Sequence, residues 1–533
     1  MQLIRKQIHE QVYFYTLALI AVCLPFSVYL TSASVFLLAI NWFAEGRFRE
    51  KWNKFAPNRA LQLFLVIFAM QLLGLLWSEN LDYGLNLVKI KIPLLALPVI
   101  IATSRSLDML QVRRILLLFS LAVFTATLAS LFKLSGWFPG GINGYRDLSL
   151  FTKHIWFSLL LVMSLLISFY FLILQRSRVS WAERIYHLVQ LAWLPVFLIL
   201  LKSLTGIFVA VSLGFLILLR LAFEIRDPVY RFMLLVAVIM IPVFSYLYLS
   251  HAVEKFYTVD AMVPEDLEPY TVEGNPYEHH PENREIENGH YVWLYVCDSE
   301  LEREWNKVSD LDFHGRTRSG GSLRTTLIRF LTSRGLRKDA AGVKQLSRGE
   351  IEAIERGTAN EIYLNRFRLY PRIYEVIWEF DRYGMGYPPN DKSVVQRYLY
   401  LKAAWSIARE HLLFGVGNGD VFQAFKQYYE THDSPLDSQQ RRMVHNQYLS
   451  EWISFGLVGL LVFLAALVGP LFLAHRQRSF LATGVLMIIL ISMLGGGTLD
   501  AATGVAFGGL FYSLFLFGPG FPWLRPKSSG TDG

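Results

Sequence analysis

Apolar runs of about twenty residues, separated by short polar clusters, fill the first 250 positions of the chain and return after residue 446. A helix rises 1.5 Å per residue, so a run of that length matches the ~30 Å hydrocarbon core of a bilayer. This template predicts twelve membrane helices, over 12–29, 31–44, 60–77, 84–103, 113–133, 154–174, 187–202, 205–223, 231–250, 447–474, 480–495 and 502–520. The second and seventh are short. The predicted fold class is an all-α polytopic membrane protein with a large, mainly helical extracytoplasmic insert between helices nine and ten. The expected division is nine spans in 1–250, a polar domain in 251–398, a helix with the last three spans in 399–524, and a tail in 525–533. Inside the insert, residues 289–299 alternate like a short strand, while 300–309 and 347–380 carry helical periodicity. A Gly/Pro break at 383–391 precedes a further helix that ends in the glycines of 415–419.

Composition supports this picture. Of 533 residues, 53% are hydrophobic and 18% charged, against about a quarter charged in soluble domains. A soluble enzyme, a disordered scaffold and a disulfide-knit secreted domain are excluded. The net charge of +8 suits either nucleic acid or cationic cytoplasmic loops. No basic helix or aromatic-interleaved patch accompanies it, so nucleic acid is not an expected partner. Cys23 falls in the first span and Cys297 in the insert, which argues against an intrachain disulfide. The apolar stretch after Arg5 and Lys6 has no small-residue cleavage site and reads as a membrane helix rather than a signal peptide.

Lys and Arg set the orientation. With the N-terminus in the cytoplasm, the inner loops hold Arg47, Arg49, Lys51, Lys54 and Arg59, then Arg105, Arg113 and Arg114, then Arg176, Arg178 and Arg184. Arg220, Arg226 and Arg231, Arg476 and Arg478, and Arg525 and Lys527 complete the inner set. The outer loops are sparse or acidic apart from Arg146 and Lys153. Both ends then lie inside and the insert faces outward.

Ionisable groups near the outer ends of the spans are the candidates for chemistry, since such groups are costly at membrane depth without a task. His445 and Asn446 open the tenth span in RRMVHNQYLSEWISFGLVG. A histidine there is either an interfacial side chain or a general base whose protonation nearby cations discourage. Helical periodicity would put Arg441 about one turn from His445, with Arg442 beside it. Arg397 lies on the helix after the Gly/Pro break, with Trp405 eight residues on, and reads as a diphosphate ligand or a solvated arginine. Lys202 occupies the tight turn Lys202–Ser203–Leu204–Thr205, where a lysine often only snorkels to the interface. Lys89 and Lys91 lie about 200° apart on a helical wheel, so at most one faces the bundle interior. Cations converging on one mouth suit a diphosphate, which guanidinium groups grip bidentately. The glycines of 415–419 lack the strand–turn–helix context of a dinucleotide loop and read as a turn. His279 and His280 lack metal-ligand spacing and read as a solvated loop.

His445, Asn446, Gly456 and Gly459 fit in full a motif of His, then Asn, Ser or Gln, nine residues, Gly, two residues, and Gly, Thr or Tyr. On this motif, and on the stretch from Arg397 through AAWSIAREHLLFGVGNGDVF, the chain resembles the O-antigen ligase family, which overlaps the O-antigen polymerases. Twelve spans with a large segment before the last three match the ligase architecture. KHIWFSLLL and TLDAATGVAFGGLFYSLF are similar to variants found in Bacteroidota. The resemblance implies a metal-independent, inverting glycosyltransferase of the bacterial inner membrane with its active site facing the periplasm and no nucleotide cofactor. Its implied donor is an undecaprenyl-diphosphate-linked glycan and its implied acceptor a sugar hydroxyl of lipid A-core. On the same footing His445 is the general base and Arg397 holds the diphosphate. A second family arginine follows a serine in the turn between spans seven and eight. Here Ser203 is followed by Leu204, and the cations available to replace it are Lys202, Arg146, Arg441 and Arg442, with Lys91 and Asn446 as further substrate contacts. A polymerase and a protein O-oligosaccharyltransferase are the alternatives inside the superfamily. A transporter of lipid-linked glycan is the alternative outside it, and the chain has neither the half-repeats nor the midplane charges expected of one.

Overall fold

The computed structural model describes residues 2–134, 148–175, 179–260, 267–365, 370–390, 392–474 and 479–518. Arg146, Arg176, Arg178, Arg476, Arg478, Arg525, Lys527 and the tail lie outside the described residues. The fold is that of an all-α polytopic membrane protein. Among the described residues, nine helices are long and apolar enough to cross a membrane. The chain divides into two compact units, 1–221 with 397–533, and 222–396.

The first unit begins with α1 (Gln2–Cys23), α2 (Val28–Glu45), the short amphipathic α3 (Phe48–Phe55) and α4 (Arg59–Leu73). The span predicted from residue 84 is built from α5 (Leu81–Lys91) and α6 (Pro93–Thr103), joined at Ile92 because Pro93 has no N–H to continue the ladder. Then come α7 (Met109–Leu134), α8 (His154–Phe169), α9 (Trp181–Leu200) and α10 (Leu204–Glu224). The second unit starts at Ala222, in the last turn of α10, and its first full helix is the membrane-length α11 (Pro228–Tyr257). It continues through α12 (Asp298–Val308), α13 (Leu323–Ser333), α14 (Ala340–Lys344), α15 (Arg348–Glu355) and α16 (Tyr370–Gly384). The first unit resumes within α17 (Ser393–Glu410), followed by α18 (Val421–Thr431), α19 (Gln447–Leu473), α20 (Phe480–Ser492) and α21 (Ala502–Leu516). Apart from the first, every predicted span has a helix; the run predicted over 12–29 is interrupted, since α1 ends at Cys23 and α2 starts at Val28, and α1 is not among the nine. However, α20 and α21, at 13 and 15 residues, are shorter than a full crossing requires.

In the first unit α19 packs along α4 and α21 along α6, and α8 lies between α9 and α20. The α21 helix is buried from Thr503 to Leu516, as expected for a helix apolar on every face. Its glycines allow close approach: a β-carbon at Gly509 would lie 3.0 Å from the Pro93 carbonyl oxygen. At one end of α4 the loop cations meet. Arg105 pairs with Glu10, Lys51 with Glu45, and Lys54 donates to the carbonyls of Thr103 and Ser104.

The second unit has its own core, with Leu301, Trp305, Phe313, Leu327 and Phe330 fully buried. The strand predicted over 289–299 is corrected to a two-residue hairpin, Ile286–Glu287 paired with His290–Tyr291. Asn288 and Gly289, with φ of 49° and 87°, make its turn. Burial does alternate through Val292, Leu294 and Val296. Tyr295 adopts φ 58°, which breaks the extended run before it becomes a ladder. The periodicity at 300–309 is realised as α12, and that of 347–380 as α15, a short 3-10 turn and α16.

Candidate active site at the start of helix α19

The sequence motif is a folding instruction before it is a catalytic one. Asn446 caps α19: its side-chain oxygen accepts from Leu449 N–H at 3.0 Å and its amide donates to the Leu494 carbonyl at 3.0 Å. The residue expected to contact substrate therefore holds the helix start. Gly456 sits at φ 70°, ψ −176° and breaks α19 one-third of the way along. A β-carbon there would lie 2.0 Å from the Leu413 carbonyl. Residues 412–417 enter that break. Val416 and Gly417 N–H donate to the Ile453 and Ser454 carbonyls, and Leu457 N–H to the Leu412 carbonyl, at 2.8, 2.9 and 2.8 Å. The break frees helical carbonyls, and the GVGNG turn satisfies them. Asn418 and Asp420 tie the same turn to the loop after α4, through Gln71, Glu79 and Asn80.

His445 immediately precedes the cap. Residues 441–446 are not helical, with Arg441 at φ −73° and ψ 108° and Asn446 at φ −150° and ψ 115°. This corrects the expected helical turn between Arg441 and His445. The Arg441 Nε–H donates to the Leu436 carbonyl at 3.1 Å and steadies the loop. Two tyrosines pin the segment from either side: Tyr400 donates to the Gln440 carbonyl at 2.6 Å and Tyr429 to the Arg442 carbonyl at 2.9 Å. Tyr400 also meets the His445 ring edge-on at 6.2 Å. It follows Arg397 by three residues on α17, so the two share a face. The surrounding protein, and then the charges of Arg397, Arg442 and Lys153, hold the His445 imidazole below its ordinary pKa. At neutral pH it is an uncharged base with three cations in its field, beside the positive end of α19.

The other expected residues divide. Lys202 is exposed and takes the left-handed φ of 49° in its turn. Ser203 bonds to Ser158 at 3.0 Å, and Gly495 lies against Thr205, so this turn borders the 493–501 loop that also receives Gln447 and Asn446. Lys91 is turned into the bundle, and Lys89 is exposed. The Lys91 ammonium lies 3.0 Å from Asp500 and 3.4 Å from Glu451. Two carboxylates within the chain already engage this one ammonium, so it is not a free ligand for diphosphate. Gln447, fully buried, donates to both carboxylates at 2.8 and 2.9 Å and accepts from Leu499 N–H at 3.0 Å. Trp405 packs edge-on to Trp452 of α19 at 5.5 Å. His279 and His280 sit in the second unit, bonded to Glu268 and Tyr295 and to Glu282.

Sequence reasoning named Lys153 only as an outer-loop cation, and missed Tyr400 and the Gln447–Glu451–Asp500 group. The three-residue spacing from Arg397 marks Tyr400, and the i, i+4 pair Gln447/Glu451 inside an apolar run marks the buried group.

Fold and site define a multi-pass membrane protein whose loops gather a neutral histidine with several cations at one end of its helices. Residues 345–464, which contain Arg397, His445, Gly456 and Gly459, match the family model described as O-antigen ligase, and the resemblance drawn from the motif holds over that segment. The match covers 120 of the 533 residues, and over that segment the chain is similar to the O-antigen ligase family. No curated protein matches the chain.

Proposed function

We propose that the protein transfers a glycan from undecaprenyl diphosphate to a sugar hydroxyl of lipid A-core at the periplasmic face of the bacterial inner membrane. The observation that carries the reading is a neutral His445 in the field of Arg397 and Arg442, all three in the segment that matches the ligase family, with Lys153 joining them from outside that segment. His445 removes the acceptor proton as the hydroxyl attacks the anomeric carbon from the face opposite the diphosphate, so the configuration inverts. Arg397 and its neighbouring cations meet the charge that develops on the departing diphosphate, where fixed donors need no reorganisation. Lys202 and Arg442 are the exposed cations that extend the clamp in place of the arginine absent at Leu204. Lateral entry of both lipids between helices brings the reactants together in the bilayer plane.

The test uses purified protein in nanodiscs with undecaprenyl-diphosphate glycan and lipid A-core, in the presence of EDTA and without nucleotide. Lipopolysaccharide of increased size is the expected product. Longer lipid-linked chains instead would make the protein a polymerase, and an untouched donor would remove glycosyl transfer from the account.

A further inference from the structure

The second unit carries an open groove of about 700 Å³ lined by His280, Glu282, Asn283, Arg284, Trp293 and Tyr387 among others. Two of its aromatic walls are held by one buried carboxylate. Glu285 is 4% exposed. One of its oxygens accepts the Trp293 indole N–H at 2.9 Å, and the other pairs with Arg382. The Arg382 guanidinium in turn lies 3.8 Å from the centre of the Tyr387 ring and 5.2 Å from that of Trp378. Glu285 therefore fixes Trp293 directly and Tyr387 through Arg382. Trp293 also packs against the core of this unit, and the Arg324 guanidinium, tied to Asp298, lies 5.7 Å from its ring. Around these rings stand the exposed polar side chains of His280, which bonds Glu282, and of Arg284.

We propose that this groove binds oligosaccharide. A pyranose ring presents an apolar C–H face with a slight positive charge, and hydroxyls around its edge. The negative face of an aromatic ring complements the first, and a charged and amide-bearing rim complements the second. Rings held in place before binding lose little conformational freedom on contact, which is where weak sugar contacts gain most. The volume falls in the range of small-molecule sites, and the groove is open enough for a chain to continue beyond it. The purpose of the site rests on the glycan-transfer reading: it holds the sugar chain of donor or acceptor apart from the reacting bond. Its existence does not rest on that reading.

The experiment uses the full chain in nanodiscs and, as probe, oligosaccharides cut from the polysaccharide that mild acid releases from the source cell's lipopolysaccharide. Binding is read by calorimetry for wild type, Trp293→Ala, Tyr387→Ala, Tyr387→Phe and His445→Ala. Wild type and His445→Ala bind alike. Tyr387→Ala weakens binding by about tenfold, Tyr387→Phe restores it because the ring is kept, and Trp293→Ala weakens it as well. Absence of binding by wild type, or binding unchanged in both alanine variants, overturns the proposal. Binding without any transfer by wild type would sink the transfer reading and leave the groove standing. Transfer without binding would sink the groove alone.

Discussion

Replacing Gly456 by alanine tests the idea that the ligase motif encodes a broken helix. Its φ of 70° with ψ of −176° is a region that essentially only glycine visits, and an L-residue there costs about 1–3 kcal/mol. The new β-carbon would overlap the Leu413 carbonyl at 2.0 Å, so residues 412–417 must move out of the break. That movement disrupts the three backbone hydrogen bonds made by Val416, Gly417 and Leu457. At roughly 0.5–1.5 kcal/mol each they add about 1.5–4.5 kcal/mol, for a total of about 2.5–7.5 kcal/mol. Gly214→Ala on α10 is the control. Its β-carbon would meet nothing within 4 Å, and helix propensity makes it neutral or stabilising by up to ~1 kcal/mol. The assay is thermal unfolding of detergent-solubilised protein, followed by size exclusion. Gly456→Ala should melt far below wild type and Gly214→Ala at or above it. Equal melting of the two variants would refute the reasoning.

Four further outcomes follow from the geometry. Lys91→Met leaves the buried Glu451 carboxylate and Asp500 without their cation and should destabilise by about 3–5 kcal/mol, while Lys91→Met combined with Glu451→Leu recovers part of that loss in the same melting assay. Arg397→Lys replaces a bidentate fork by a point charge and should raise the donor KM or lower kcat by roughly 10–100-fold in the nanodisc assay; unchanged donor kinetics would return Arg397 to a solvated helix face. The pH profile of kcat/KM should have its acid limb below the ordinary histidine value, because the protonated imidazole is the disfavoured form. Arg442→Gln removes one of the opposing charges, so the limb should move up toward that value, and a fixed limb would exclude His445 as its source. In the second unit, burial brings the Lys338 pKa down to about 7. The unfolded chain binds more protons than the folded one between that value and the ordinary lysine value, so stability of this unit rises with pH across the interval. Lys338→Met should remove the dependence and raise resistance to limited proteolysis at pH 7.

Much of this architecture was legible in the chain because a bilayer asks for one simple pattern. Eleven of the twelve apolar runs became helices, the run at 12–29 being split between α1 and α2, and the Gly/Pro signals after residue 383 and at 415–419 became the breaks they announced. The break within α19 was not legible as such, since Gly456 lies in an unbroken apolar run and only the arrival of residues 412–417 makes its φ necessary. At the site, His445 stood in the motif and Arg397 in the wider resemblance, and the structure brings the two into one electrostatic field. Arg441 was misplaced because a helical turn was assumed where two tyrosine hydroxyls hold a non-helical chain. Lys91 stood out as a cation, yet its carboxylate partners come from positions 360 and 409 residues away, a pairing that spacing along one helix does not disclose.

The central claim is that His445 acts as the base in glycosyl transfer, and the direct test is the initial rate of His445→Ala against wild type, with melting of both proteins measured in parallel. The account predicts a wild-type melting temperature, since the His445 side chain makes no hydrogen bond on which the α19 cap depends, together with loss of transfer by at least a factor of about 100. Transfer at the wild-type rate in a folded His445→Ala protein would contradict it.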